Sequence, residues 1–230
     1  MIKGLFKIIY VFVLFFFAVV IAHYHWFSYG EILQFGDWGY RFLEYSKNLY
    51  LEWGAWSSAF QLGSPNVTLF SYPSRGVIFS LFSLFDLQYQ DVVRFGLFIP
   101  VALLSFLSPY FYAYYKTRNV FVSAPVAFFY SSIPYFLVTQ ATHHPISFVF
   151  AITPLLFLFL EKAFLGNNLK HWIIFVLLIF ISIGYEIRIS YISFVLLILY
   201  FFFLLMQNQK KFKFFSWVVV IFFLLQLYWF

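Results

Sequence analysis

The sequence predicts an all-α, polytopic transmembrane helix bundle, and three observations carry that prediction. The composition is 64% hydrophobic and 27% aromatic with only 10% charged residues, too little polar surface to cover a water-soluble globule. Apolar runs near the roughly 20-residue length that crosses a bilayer as a helix recur along the chain. The breaks between most of those runs are short and hold the charged and turn-forming residues.

Taken in order, the runs give about seven spans in this fragment, near 5–26, 96–115, 120–138, 146–163, 172–186, 189–206 and 214–230, within a single membrane domain covering 1–230. The first follows Met1-Ile2-Lys3, and its apolar stretch leads straight into His23, Tyr24 and Trp26 with no Ala-x-Ala site, so it reads as a retained signal anchor. Residues 27–95 form the one long connection, and a loop of that size is usually functional. Inside it Trp38, Phe42, Tyr45, Leu49, Trp53 and Trp56 recur at three- and four-residue steps, with Asp37, Arg41, Glu44, Asn48 and Glu52 opposite. This is the pattern of an amphipathic juxtamembrane helix with aromatic anchors toward lipid, broken afterwards by Gly63-Ser64-Pro65-Asn66. The hydrophobic run 75–87 is too short to span and reads as a second juxtamembrane helix. The last run stops with no polar tail, so the chain reads as the N-terminal part of a longer protein.

The net charge of +6 belongs to residues scattered between the spans. That scatter sets membrane topology and gives no footprint for nucleic acid. The lysine-rich side holds Lys3, Lys7, Lys116, Arg118, Lys162, Lys170, Lys210, Lys211 and Lys213; the other holds Arg41, Lys47, Arg75, Arg94 and Arg188. The positive-inside rule then predicts a multi-pass plasma-membrane protein with a cytoplasmic N-terminus and an extracytoplasmic 27–95 loop. Glu31, Asp37, Glu44, Glu52, Asp86, Asp91 and Glu186 fall on the external side, and only Glu161 falls inside, next to Lys162. The absence of cysteine excludes disulfides, thiolate metal sites and cysteine nucleophiles. No phosphate-cradling glycine loop, nucleophile elbow, zinc signature or solenoid repeat is present.

A few residues carry possible chemistry. Asp37, between Gly36 and Trp38, would hold a carboxylate just above the external face, where it could serve as a general base or bind a cation. Equally, it fits a helix N-terminal carboxylate paired with Arg41 at i+4. His143-His144-Pro145 forms a tight external turn, which a metal, a sugar hydroxyl or phosphate, or nothing beyond the interface would explain. Glu186 and Arg188 interrupt an apolar stretch; ionisable groups at a span end pair or line a polar cavity. Residues two apart do not face each other on a helix, so a break is expected there. Arg188 is either a phosphate ligand or an interfacial cation. The sequon Asn66-Val67-Thr68 is too short a motif to weigh.

The order of these features resembles a known family. A first span is followed by Gly36-Asp37-Trp38, an amphipathic segment ending in Trp56, Leu62-Gly63-Ser64-Pro65-Asn66, a Tyr72-Pro73 step into a short apolar helix, and Arg94 opening the second span. Later come Tyr130-Ser131-Ser132-Ile133-Pro134-Tyr135, the His143-His144-Pro145 turn, Thr153-Pro154-Leu155 and the closing Leu227-Tyr228-Trp229. This order is similar to the amino-terminal region of the C superfamily of multi-spanning glycosyltransferases, above all the branch similar to arabinofuranosyltransferases and to the large YfhO-like membrane proteins. The resemblance implies transfer of a sugar from a polyprenyl-phosphate donor to an extracytoplasmic glycan, lipid or protein acceptor, with inversion. It implies Asp37 as the general base, and Arg188, His143, His144, Glu186 and Arg41 as the residues toward donor phosphate or substrate. A divalent cation near the external turns is a further implied partner, in a role that Arg188 or His144 could fill instead. The family's strongest form has an acidic pair near this loop; here only Asp37 stands in the motif, and Glu44 or Glu52 would be the second acid.

A different class of reading is a non-catalytic membrane protein, either a transporter of lipid-linked glycans or an assembly partner. Transporters place paired ionisable groups and broken helices near the bilayer midplane. This sequence keeps its spans almost free of charge and gathers polarity at one surface, which favours surface chemistry on a membrane-bound donor.

Overall fold

The computed structural model describes residues 2–27, 56–57, 64–65, 84–85, 87, 89–133, 144–166 and 168–207. The first helix, α1 (Ile2–Phe15), continues through a π-helical turn (Phe16–Ile21) and is followed by the short α2 (Tyr24–Phe27). Two two-residue strands, β1 (Trp56–Ser57) and β2 (Ser64–Pro65), pair antiparallel with Trp56 opposite Pro65. Next, α3 (Tyr89–Val93) runs through a second π-helical turn (Arg94–Phe98) into α4 (Ile99–Thr117). The remaining helices are α5 (Val120–Ser131), α6 (His144–Gly166), α7 (Leu169–Tyr185) and α8 (Ile187–Gln207).

Among the described residues four helical segments are long and apolar enough to cross a bilayer: Gly4–Ile21, Asp91–Thr117, Pro145–Gly166 and Ile189–Gln207. The chain is therefore a helical membrane protein. Two further apolar helices, α5 and α7, are shorter; the 12 residues of α5 rise about 18 Å against a hydrocarbon core of about 30 Å. The predicted spans 96–115, 146–163, 172–186 and 189–206 fall on α4, α6, α7 and α8. The predicted 120–138 span ends its helix at Ser131, and 214–230 lies outside the described residues.

Local chemistry explains where the helices stop. Asn119 caps α5 by accepting from the Phe121 amide at 2.9 Å, and Asn168 caps α7 by accepting from the Lys170 amide at 2.9 Å. Glu186 is a single extended residue (φ −159°, ψ 105°) between α7 and α8, which is the break expected from Glu186 and Arg188.

Successive helices alternate in direction, because α4–α5, α6–α7 and α7–α8 are joined by only one or two residues. α4 and α6 sit centrally: 67% and 61% of their spanning windows are buried, against 11% for α1. The buried face of α5 is made only of Ser123, Ala124, Ala127 and Ser131. Small residues at four-residue spacing let two helix backbones approach closely, the main source of packing between helices in lipid. A second core of larger side chains, among them Leu156, Leu160, Phe175, Ile183, Leu197 and Phe201, joins α6, α7 and α8. Outward-facing Ile192, Val195, Leu196, Leu199 and Phe203 of α8 are exposed, as lipid contact requires.

Two of the prolines in the described helices, Pro154 and Pro100, have identifiable compensation. Pro154 has no N–H for the carbonyl four residues back; that carbonyl, on Phe150, accepts the Tyr130 hydroxyl at 2.7 Å. Pro100 likewise cannot serve Gly96, whose carbonyl accepts the Tyr185 hydroxyl at 2.7 Å.

Two expectations for the long loop change. Trp56 was expected to end an amphipathic helix and is instead in the β1–β2 pair; Pro65 suits a lone edge strand because it needs no ladder N–H. Leu84 and Phe85, expected near the end of a juxtamembrane helix, form an exposed turn. Apart from Leu87, the rest of both juxtamembrane segments lies outside the described residues.

Candidate functional site

Polar side chains gather at the two ends of the bundle. One end, here the junction end, is built where the α7–α8 junction meets the π-helical turn before α4 and the start of α6. Arg94 in that turn is 1% exposed, and its Nη1 donates to Asp91 Oδ1 one helical turn earlier at 3.0 Å. Tyr185, the last residue of α7, reaches across to the Gly96 carbonyl, and its ring stacks on Phe148 of α6 with centroids 3.8 Å apart. Tyr185 thus ties the junction to both neighbouring elements. Next to it Glu186 is 3% exposed.

The junction itself is closed by serine hydroxyls. Ser190 Oγ donates to the Glu186 carbonyl at 2.7 Å and lies 2.9 Å from Ser182 Oγ. These bonds fix the break between two apolar helices, so the buried Glu186 is held on a rigid support. His23 belongs to the same end of its helix: its Nδ1 is 3.1 Å from the Val19 carbonyl, and since a carbonyl only accepts, Nδ1 carries the proton.

The opposite end holds a second, separate constellation. Lys116 at the end of α4 donates to Glu161 Oε1 on α6 at 2.7 Å, and its Nζ forms an ion pair with Oε2 at 2.6 Å. Its Nζ also donates to the Tyr200 hydroxyl at 3.1 Å, and that hydroxyl donates to Glu161 Oε2. Lys116 further lies 5.9 Å and 5.8 Å from the ring centres of Tyr112 and Tyr200, so aromatic faces add to the stabilisation of its charge. With all its polar atoms partnered, this network reads as a clamp joining α4, α6 and α8.

No protein-family model, curated protein or solved structure matches this chain. The functional reading therefore rests on the site itself.

The sequence-derived candidates divide as follows. Glu186 lies buried at the junction end, and the backbone brings Arg188, in the first turn of α8, and His144, the first residue of α6, to that same end. Asp37, Arg41 and His143 lie outside the described residues. Among the described residues no three His, Asp or Glu side chains are grouped to hold a metal ion, so no step is assigned to a cation here. Sequence reasoning missed Arg94 as a site residue, counting it only as an external charge and as the opening of a span. The available signal was an arginine followed directly by an unbroken apolar run, where an unpartnered cation is costly. It placed Glu161 next to Lys162 and named no partner for it; the structure pairs it with Lys116.

Proposed function

We propose that this chain is the membrane region of an inverting glycosyltransferase that moves a sugar from a polyprenyl-phosphate donor to an extracytoplasmic acceptor. The observation that carries the reading is the gathering of Arg94, Asp91 and Glu186, with the start of α6 and the first turn of α8, at the end of the bundle where the chain leaves for and returns from the 27–95 connection. Lys7, Lys116, Arg118, Lys162 and Lys170 belong to the opposite ends of their helices. By the positive-inside rule that distribution supports an extracytoplasmic junction end. With the seven-span count, it brings the first loop's carboxylates and the headgroup level of a lipid-linked donor to one surface.

In this reading Asp37 takes the proton of the acceptor hydroxyl as its oxygen forms a bond to the anomeric carbon. The bond from that carbon to the phosphate oxygen breaks on the opposite face, and the polyprenyl phosphate leaves with the electron pair. Arginine is suited to the charge that develops on the leaving phosphate, because its planar fork of donors matches phosphate oxygens. Arg188 and the buried Arg94 are the candidates, with His143, His144, Glu186 and Arg41 toward donor or acceptor.

Asp37→Asn in the full-length protein, reconstituted in liposomes with a polyprenyl-phosphate sugar, should abolish transfer while leaving insertion and the unfolding midpoint unchanged. Turnover equal to wild type would remove Asp37 as the base. Movement of the intact lipid-linked sugar across the bilayer by the wild-type protein, with no transfer, would favour the transporter reading.

A further inference from the structure

The lysine-rich end carries a feature that neither the Lys116 clamp nor the transferase reading uses. Between α4 and α6 lies a groove of about 430 Å³ lined by Phe111, Tyr114, Tyr115, Leu155, Leu158 and Phe159, with Arg118 and Lys162 completing its wall. Both cations lie by one ring: Arg118 Cζ is 5.6 Å and Lys162 Nζ 5.4 Å from the centre of Tyr115. Lys162 is also 5.5 Å from the Phe159 ring centre.

Charge at this end does not balance. Glu161 is the one carboxylate among the described residues there, and both of its oxygens are taken by Lys116, with Tyr200 as a further donor. Arg118 and Lys162 have aromatic faces and no carboxylate within reach among the described residues. A groove that pairs an apolar wall with two uncompensated cations has the chemistry of an amphiphile with an anionic head.

The backbone at Arg118 points the same way. Arg118 is the one non-glycine residue with positive φ among those described (φ 53°, ψ 19°), and its amide closes α4 by donating to the Tyr114 carbonyl at 2.9 Å. Glycine adopts this helix-ending conformation without strain, whereas other residues are held there at a cost. A strained position occupied by a long cation at the mouth of a groove is the kind of outlier from which a functional role is inferred.

We propose that this groove binds one anionic phospholipid, its phosphate between Arg118 and Lys162 and an acyl chain along Phe111, Leu155 and Leu158. The proposal stands apart from the transferase reading, since it concerns the other end of the bundle and a lipid that is not consumed. A neighbouring groove of about 410 Å³ between α1 and α4 serves as the internal comparison: its wall is similarly apolar but carries the single cation Lys7.

The test is native mass spectrometry of the full-length protein released from mixed micelles containing phosphatidylglycerol or phosphatidylcholine. Wild type should retain one phosphatidylglycerol preferentially, and Arg118→Gln with Lys162→Gln should weaken that retention on the order of tenfold, given the usual contribution of a basic residue near an anionic surface. Lys7→Gln should leave it unchanged. Equal retention of the two lipids, retention unaffected by the double substitution, or loss by Lys7→Gln as large as by the double substitution would each overturn the proposal. So would displacement of the lipid by millimolar inorganic phosphate, which would mean a free-anion site. Absence of any lipid adduct on wild type, as expected if residues 208–230 occupy the groove, would overturn it too. A double variant with an altered unfolding midpoint is replaced by Arg118→Lys, which retains the charge and should retain the lipid.

Discussion

The Lys116–Glu161–Tyr200 clamp allows a quantitative test of how three helices are fastened at one end. Removing the cation by Lys116→Met keeps the aliphatic stem and leaves Glu161, 7% exposed, with the Tyr200 hydroxyl in place of a charge at 2.6 Å. Breaking a fully buried pair costs about 3–5 kcal/mol, whereas an exposed pair is worth about 0.2–1 kcal/mol. Lys116 is 41% exposed, so water reaches the site and the expected cost lies between these limits, about 2 kcal/mol. Glu161→Gln should cost about 1 kcal/mol, because its single amide oxygen at the Oε2 position still accepts from Tyr200 while the bond from Lys116 to Oε1 is lost. The double variant should be no worse than Lys116→Met alone, giving a coupling of about 1 kcal/mol. The assay is equilibrium unfolding in mixed micelles for the full double-mutant cycle. Strict additivity, with a coupling below about 0.3 kcal/mol, would refute the view that the pair fastens α4 to α6.

Two other predictions concern the junction end and the topology. Tyr185→Phe removes the hydroxyl from the Gly96 carbonyl but keeps the stack on Phe148; it should cost about 1 kcal/mol by the same unfolding assay, within the range measured for hydrogen bonds between membrane helices, and no loss would mean that this bond carries none of the docking of α7 onto α4. The chain has no cysteine, so single cysteines at Lys7 and Lys170 should react with an impermeant maleimide only from the cytoplasmic side, and one at Asp91 only from outside. Labelling of all three from one side would contradict the alternation of the helices.

Much of the helical pattern was legible because lipid exposure imposes a one-dimensional rule on the sequence. A run of apolar residues near the bilayer thickness has few folds open to it, and α4, α6, α7 and α8 follow those runs closely. The ends were less legible. The π-helical turn at Arg94–Phe98 and the β1–β2 pair at Trp56 and Pro65 depend on local backbone partners that hydropathy does not encode. Glu186 was readable because an acid inside an apolar stretch marks a break. The partner of Glu161 was not, since Lys116 lies 45 residues earlier and only the parallel arrangement of α4 and α6 brings them together. The tyrosine hydroxyls opposite Pro100 and Pro154 were beyond reach for the same reason: a proline announces a missing donor, but nothing in its neighbourhood says which helix supplies the replacement.

The one-residue link at Glu186 has a consequence for biogenesis. An isolated α7 emerging from the insertion machinery would end in a carboxylate with no serine hydroxyl to close the turn behind it, since Ser190 belongs to α8. α7 and α8 are therefore suited to enter the bilayer together as a hairpin with Glu186 at its tip.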